Sequence, residues 1–293
     1  MLRNKTFAVI GGDLRQVHLA SLLAQDGYSI LAVGLDRDVE ISPNVVRCKS
    51  AAEAVQKSSC VILPLPFTVD GVTVNAPFAR SPVPLEELWG AANDNTIITG
   101  GKFTEKIWDI SRRHGFRLID YYDREELAIL NTIPTAEGAI QIAMEELPIT
   151  IHSAKCLVMG YGRVSKMLCH DLKSLGADVT ACARRFADIA WIKTMGYTAV
   201  HMTKIAEIIS QFDVVFNTVP AVVLTESVLS NVKKDCLVID LASKPGGVDF
   251  ETAGHLGIKT VWALSLPGKV APITSGAMIK DTILNIIAEE GAE

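Results

Sequence analysis

Short runs of aliphatic and β-branched residues recur along the chain, and between them lie longer stretches whose apolar residues return every three or four positions. Brief apolar strands alternating with amphipathic helices are the pattern of a parallel sheet covered by helices. The pattern occurs twice. In the first half it predicts strands at Phe7–Ile10, Ile30–Val33, Val61–Leu63, Thr96–Thr99 and Arg117–Ile119. In the second half it predicts them at Lys155–Met159, Asp178–Ala181, Val214–Asn217, Leu237–Asp240 and Thr260–Ala263. Between the halves, IPTAEGAIQIAMEELPIT predicts a helix that Thr135 caps, that carries Glu137 in its first turn and that Pro148 stops. A further amphipathic stretch, Thr274 to Glu290, is expected to cross back to the first half. The longest irregular stretch runs from Pro64 to Pro84 with five prolines, and loops of that length are often functional.

Composition narrows the classes of partner. With 293 residues, 49% of them hydrophobic, and a formal charge of −5, the chain is long enough for two domains and has no basic excess to bind nucleic acid. No apolar run reaches the roughly 18–20 residues that span a bilayer, so no membrane partner is expected. The first strand starts within a few residues of Met1, which leaves no room for a signal peptide, and a cytoplasmic location is expected. The six cysteines (Cys48, Cys60, Cys156, Cys169, Cys182 and Cys236) lie mostly inside apolar runs without C-x-x-C spacing, as reduced core residues do. His152, His170, His201 and His255 show no metal-ligand spacing, and no metal is expected.

The stretch CLVMGYGRVSKMLCHDL follows an apolar strand and opens a helix, and it carries Gly160, Gly162 and Ser165 in the G-x-G-x-x-G/A/S arrangement. In that context the spacing is a dinucleotide-binding fingerprint. Gly160 permits the tight turn, Gly162 lets backbone approach a pyrophosphate, and Ser165 is small enough for the helix to lie close to the strand. Arg163 and Val164 open that helix, whose N-terminus can seat a phosphate. About twenty residues on, where such folds usually offer a carboxylate to the ribose, stand Arg184 and Arg185. A carboxylate there would repel a 2′-phosphate, whereas a guanidinium pairs with one through a planar fork of donors. The expected cofactor is therefore NADP, with NAD left open.

The fold class that follows is α/β: two Rossmann-like domains with parallel sheets, linked by a helix and a C-terminal crossover helix, with a cleft between them. Residues 1–133 are expected to form a Rossmann or flavodoxin-like substrate domain joined by the helix 274–293, residues 134–150 a connecting helix, and residues 151–273 the NAD(P)-binding domain. Ligands of such sheets bind beyond the carboxyl ends of the strands. On the cofactor side that selects Thr218, Val219, Pro220, Ala242 and Ser243. In the first half, VIGGDLRQVHLASLL has a glycine turn without the third small position, so Gly12 and Arg15 are read as part of a substrate pocket. Lys102, Lys244 and Lys269 have glycines nearby that would let a ligand come close. With Thr135 and Glu137 of the connector they form a set suited to an anionic small molecule. His18, on the helix after Gly12, is a candidate acid or base. No nucleophile elbow occurs, and hydride transfer needs none, because the cofactor carries the chemistry.

In this order, VIGGDLRQ, NTIPTAEGAIQ, MGYGRVS, DLASKPGGVDF and LPGKVAPITSGAMI resemble the A-subunit family of bacterial dipicolinate synthases over essentially the whole chain. That family is similar in architecture to alanine dehydrogenase and to D-2-hydroxyacid dehydrogenases. The resemblance implies an NADP-dependent oxidation of dihydrodipicolinate, derived from 4-hydroxy-tetrahydrodipicolinate, to dipicolinate during endospore formation. It also implies, as partner in the mother-cell cytoplasm, the flavoprotein-like B subunit of dipicolinate synthase, and a homo-oligomer is expected. Under this resemblance some of Arg15, Lys102, Lys244 and Lys269, aided by glycine-loop amides and Thr135, are expected to hold the two carboxylates of the substrate, and His18 or Glu137 to assist if water must first leave a hydroxylated precursor. His18, Glu137 and Lys244 are the candidate catalytic residues. The Arg–Glu–His relay of the hydroxyacid dehydrogenases has no counterpart here, which argues against a simple 2-hydroxy acid. Two alternatives stay open: an amino- or imino-acid dehydrogenase resembling alanine dehydrogenase, and a non-catalytic nucleotide-binding scaffold for the B subunit.

Overall fold

The computed structural model describes residues 5–290, which form two compact units. The first takes the chain as far as Leu130 and again from Ala271; the second runs from Asn131 to Val270. The first unit holds β1 (Thr6–Ile10), β2 (Ser29–Val33), β3 (Val45–Arg47), β4 (Cys60–Ile62), β5 (Ile97–Gly100) and β6 (Arg117–Asp120), in the order β3-β2-β1-β4-β5-β6. The second holds β7 (Lys155–Met159), β8 (Asp178–Ala183), β9 (Thr198–His201), β10 (Val214–Asn217), β11 (Leu237–Asp240) and β12 (Lys259–Trp262), in the order β12-β11-β10-β7-β8-β9. Neighbouring strands are parallel in both sheets. Each sheet therefore reverses its winding beside its first strand, between β1 and β4 and between β7 and β10.

Both sheets are covered on two faces, so alternate residues of one strand serve different cores. Phe7 and Val9 of β1 face one core, Ala8 and Ile10 the other; Cys156 and Val158 of β7 face one, Leu157 and Met159 the other. Burial on both faces explains why these strands read as unbroken apolar runs. Ten strands lie where the pattern predicts them, with ends displaced by one or two residues; β8, for instance, continues to Ala183. β3 and β9 were not predicted. Both are edge strands with exposed positions (Val46 is 58% exposed and Thr198 is exposed), and neither forms an apolar run.

The helix between the halves begins earlier than its sequence suggests, at Thr132, and ends at Glu146. Thr135 is not its cap: it lies in the first turn, and its Oγ1 donates back to Asn131 O at 2.6 Å. Pro134 is tolerated there because first-turn N–H groups have no helical partner in any case. The helix buries Ala136, Ala139, Ile140 and Ala143 in the second unit's core, so it is a wall of that unit and not a free connector. The terminal helix, Pro272–Glu290, packs Ile279, Ile283, Ile286 and Ile287 with Val17, Leu19 and Leu23 of the helix Leu14–Gln25. Each such fully buried side chain contributes roughly 1.5–3 kcal/mol. Gly276 makes that crossing possible, since a Cβ there would lie 2.6 Å from Arg15 O. Among the described residues no helix is long and apolar enough to cross a membrane.

Candidate functional site

In the second unit β7 runs straight into the glycine turn. Gly160 has φ +92, and a Cβ on it would lie 2.7 Å from Thr218 Oγ1, so both conformation and crowding require glycine. Thr218 is fixed there: its Oγ1 donates to Met159 O at 2.8 Å and lies 2.7 Å from the hydroxyl of the fully buried Ser165. Gly162 differs. It caps the helix Arg163–Ser174 without any side-chain hydrogen bond, and a Cβ on it would meet nothing within 4 Å. The helix N-terminus thus faces open space with no side-chain cap, an arrangement that suits a phosphate. Arg163 is exposed at its first position and Val164 half-buried at its second.

The two arginines beyond β8 are not equivalent. Arg185 lays its guanidinium on Asp188, Nε to Oδ2 at 2.8 Å and Nη2 to Oδ1 at 2.9 Å. Arg184 is the first residue past the strand, is exposed, and has no ion pair among the described residues. Its carbonyl accepts from His201 Nε2 at 2.9 Å, which assigns the proton to that nitrogen, while Nδ1 faces Thr203 Oγ1 at 2.8 Å. The His201 ring also stacks on Phe186, 5.4 Å between centroids.

Behind the loops after β10 and β11 lies a polar pair that sequence reading passed over. Asn217 and Asp240 end these strands in register, and both are fully buried. Asp240 Oδ1 accepts from Asn217 Nδ2 at 2.8 Å and from Ala242 N at 3.1 Å, and Oδ2 accepts from Gly247 N at 2.8 Å. Asn217 in turn brackets Val219, donating to its carbonyl at 3.0 Å and accepting from its N–H at 3.1 Å. One pair thereby ties Thr218–Pro220 to Ala242–Gly247. It also accounts for the two glycines after Lys244. A Cβ on Gly246 would lie 2.9 Å from Asp240 Oδ2, and one on Gly247 would run into Asn217. They make room for the chain's own buried polar groups, so they are no sign of a ligand beside Lys244. The only sequence signal for the pair was an acid closing the apolar run LVID.

The first unit's turn is occupied by its own chain. Gly12 N donates to Asn75 O at 2.8 Å, and a Cβ on Gly11 would lie 2.7 Å from Val74 Cγ1. Gly12 is therefore not available to a substrate through its N–H. Arg15, read as a carboxylate ligand, is engaged as well: Nε and Nη2 hold Asp13 at 2.9 and 2.8 Å, and Nη2 also reaches Leu65 O at 2.7 Å. Burial works against its charge, but the bonds and charge of Asp13 prevail and raise its pKa. Gln16 Nε2 and Tyr121 OH both donate to Leu63 O, at 3.1 and 2.9 Å, so these side chains brace the end of β4.

The other predicted residues are divided between the units: His18 and Lys102 belong to the first, Glu137, Lys244 and Lys269 to the second. His18 is half-buried where Gly276 crosses the helix Leu14–Gln25, a Cβ on that glycine being 3.2 Å from His18 Cβ. Glu137 is exposed and shares a groove with Asp171, Ser174 and Leu175, at the opposite end of the helix Arg163–Ser174 from the glycine turn. Lys244 and Lys269 are exposed, the latter in a short helix, Leu266–Val270. Lys102 is exposed after β5 with its Nζ 5.1 Å from the centroid of the Tyr122 ring. Burial pushes the thiols of Cys60, Cys156, Cys169, Cys182 and Cys236 up to about 12, so none of them is a thiolate nucleophile near neutral pH.

Comparison with known proteins assigns the two units separately and then together. Residues 6–122 match the N-terminal domain of the dipicolinate synthase A subunit, and residues 131–289 match the alanine dehydrogenase/PNT C-terminal domain. The dipicolinate synthase A subunit of Bacillus subtilis (strain 168) is 33% identical over 294 residues, covering 100% of this chain and 99% of that protein. The chain belongs to the family of dipicolinate synthase A subunits. The crystal structure of the Bacillus subtilis A chain superimposes with a TM-score of 0.89 at 32% identity, over 100% of this chain and 98% of that one. The dipicolinate synthase A subunit from Bacillus halodurans gives 0.89 at 32%, over 98% and 99%. An L-alanine dehydrogenase shares the fold, with a TM-score of 0.65 at 12% identity. This family member therefore carries a dehydrogenase-type, nicotinamide-nucleotide-binding domain as its second unit.

Proposed function

We propose that this family member oxidises dihydrodipicolinate, formed from 4-hydroxy-tetrahydrodipicolinate, to dipicolinate with NADP as the hydride acceptor. It does so with the B subunit of dipicolinate synthase, as a homo-oligomer, in the cytoplasm of the mother cell of a spore-forming bacterium. The observation that carries the reading is the open, side-chain-uncapped helix N-terminus at Gly162 combined with Arg184, which has no ion pair among the described residues. A pyrophosphate fits the first and a 2′-phosphate the second. When bound, the nicotinamide supplies the hydride acceptor.

The chain's own residues do the rest. Arg184 pairs with the 2′-phosphate while Asp188 keeps Arg185 engaged. Asn217 and Asp240 hold the loops of Thr218, Val219, Pro220, Ala242 and Ser243 in shape, and these loops would help to hold the nucleotide. Lys102, Lys244 and Lys269 are cations with no carboxylate partner among the described residues, and a planar dianion requires two such groups. Loss of a ring C–H as hydride and of one proton makes the ring aromatic, which drives the step. Arg15 braces Leu65 O and Asp13 through Nε and Nη2.

Titration of the purified chain with NADPH and NADH, followed by an absorbance assay for dipicolinate on freshly generated precursor with oxidised NADP as the hydride acceptor, tests this. NADPH is expected to bind about tenfold or more tightly than NADH, as charge-assisted bonds to a phosphate imply, and product is expected to form. Equal affinities would remove Arg184 from the 2′-phosphate. Binding without turnover, alone and with the B subunit, would leave a nucleotide-binding scaffold.

A further inference from the structure

The segment Gly100-Gly101-Lys102 keeps its glycines and its left-handed residue in different places. Gly100 and Gly101 are glycines because of crowding: a Cβ on the first would lie 2.5 Å from Phe103 Cζ, and one on the second 2.5 Å from Leu65 Cδ1. Neither has a positive φ, whereas Lys102 has φ +66. At that angle an L-residue presses its Cβ against its own backbone, and glycine is the favoured residue. Asp38, Ser153 and Ser265 share the conformation, but a short polar side chain can bond locally there and a lysine cannot.

The turn is pinned on both sides of Lys102. Gly101 N donates to Pro64 O at 3.1 Å, and Gly101 O accepts from Phe67 N at 3.1 Å. On the other side Asp120 Oδ2 accepts from Phe103 N at 2.8 Å and Oδ1 from Tyr122 N at 2.8 Å. The Phe103 ring is wedged against Phe67, 4.9 Å between centroids. Asp120 is 8% exposed, and burial raises its carboxyl pKa against the pull of these N–H groups. What this scaffold presents at the carboxyl end of β5 is an ammonium group with no carboxylate partner among the described residues. Strain held in place by its surroundings collects at functional sites.

The geometry points to Lys102 as a direct ligand of one substrate carboxylate, held in its strained conformation by Asp120, which acts through it as a positioning residue. This rests on the dicarboxylate reading above. The test compares Lys102→Ala, Lys102→Gly, Lys102→Arg, Asp120→Asn and the double variant Lys102→Gly/Asp120→Asn in the full chain with the B subunit. Alanine and glycine both remove the ammonium, but only glycine relieves the strain, so Lys102→Gly melts about 2–4 °C above Lys102→Ala. Both raise the dicarboxylate KM about tenfold or more and leave the NADPH Kd unchanged, and Lys102→Arg restores part of the loss. Asp120→Asn raises KM in the wild-type background and adds nothing once Lys102 is glycine, as a residue acting through Lys102 must. If the wild type turns over and Lys102→Gly keeps its KM, the inference is overturned and the dehydrogenase reading survives. An equal KM penalty from Asp120→Asn in both backgrounds removes the positioning role. If the wild type neither turns over nor binds pyridine-2,6-dicarboxylate by calorimetry while NADPH still binds, the dicarboxylate reading falls and takes this inference with it.

Discussion

At the end of β1 the N–H of Gly12 is bonded to Asn75 and Val74 covers the turn, whereas at the end of β7 the turn at Gly162 faces open space. The two units share a strand order and the same passage from strand through glycine to helix. They part company after the fourth strand. Following β4, the chain from Leu63 to Pro84 doubles back across its own glycine turn, fastened by Val74 N to Val83 O at 2.9 Å and by Asn75 N to Phe67 O at 2.9 Å. Following β10, it passes only through Thr218–Thr225 before the helix Glu226–Leu229. A glycine turn serves a ligand when no other part of the chain claims its N–H groups. Fold alone does not decide this; the connection at the winding reversal does.

The strongest way to break the comparison is Gly162→Asp. Its backbone, φ −85 and ψ −165, is the extended conformation of an ordinary cap, and there is space for the side chain. Aspartate is a better helix cap than glycine by a few tenths of a kcal/mol, so thermal stability should hold or rise slightly. The NADPH Kd should nevertheless increase by two to three orders of magnitude, ~2.7–4.1 kcal/mol, because a carboxylate now stands at the phosphate seat. An unchanged Kd in a fluorescence titration would make the open turn no more than a turn. The opposite outcome belongs to Gly11→Ala. With φ +68 and Val74 Cγ1 2.7 Å away, strain and overpacking should cost roughly 2–4 kcal/mol in urea unfolding, with NADPH affinity untouched. A Gly11→Ala variant as stable as the parent would mean that the loop does not press on the turn.

The same contrast marks how far sequence carries. Strands buried on both faces were visible as apolar runs, while β3 and β9 were not: Val46, Arg47 and Thr198 are exposed there, and edge position alone does not hide a strand, since the edge strands β6 and β12 were predicted. The Gly160–Gly162–Ser165 spacing marked a strand–turn–helix passage that the fold contains, and the left-handed φ of Gly160 is a requirement spacing can show. Arg15 and the glycines beside Lys102 and Lys244 were less legible for the reverse reason: their partners, Leu65 O, Phe103 and Asn217, are set by the fold, and spacing along the chain does not show them. Asn217 and Asp240 went unnoticed within apolar strands. Asp240→Asn should lower stability by roughly 1–3 kcal/mol, because an amide cannot accept from both Gly247 and the Asn217–Ala242 pair and leaves a buried donor unmatched. Stability equal to wild type in the same urea titration would mean that the two loops are not held by this group.

The last test sharpens the comparison within a single site, at Arg184 and Arg185. Sequence alone offers two equal guanidinium groups beyond β8, but the Arg185 fork is closed on Asp188 and its side chain is 78% exposed. Exposed pairs of this kind contribute little to stability, yet they occupy the donors that a phosphate would need. Arg184→Ala should therefore weaken NADPH about tenfold and leave NADH unchanged, while Arg185→Ala should move NADPH by no more than about threefold. Asp188→Ala discriminates further. If Asp188 does sequester Arg185, its removal releases a second guanidinium near the 2′-phosphate, and NADPH should bind as tightly as in the wild type or more so, with a steeper dependence on salt. Should Asp188→Ala weaken NADPH as much as Arg184→Ala does, the ion pair is itself part of the phosphate seat, and the division of labour between the two arginines has to be given up.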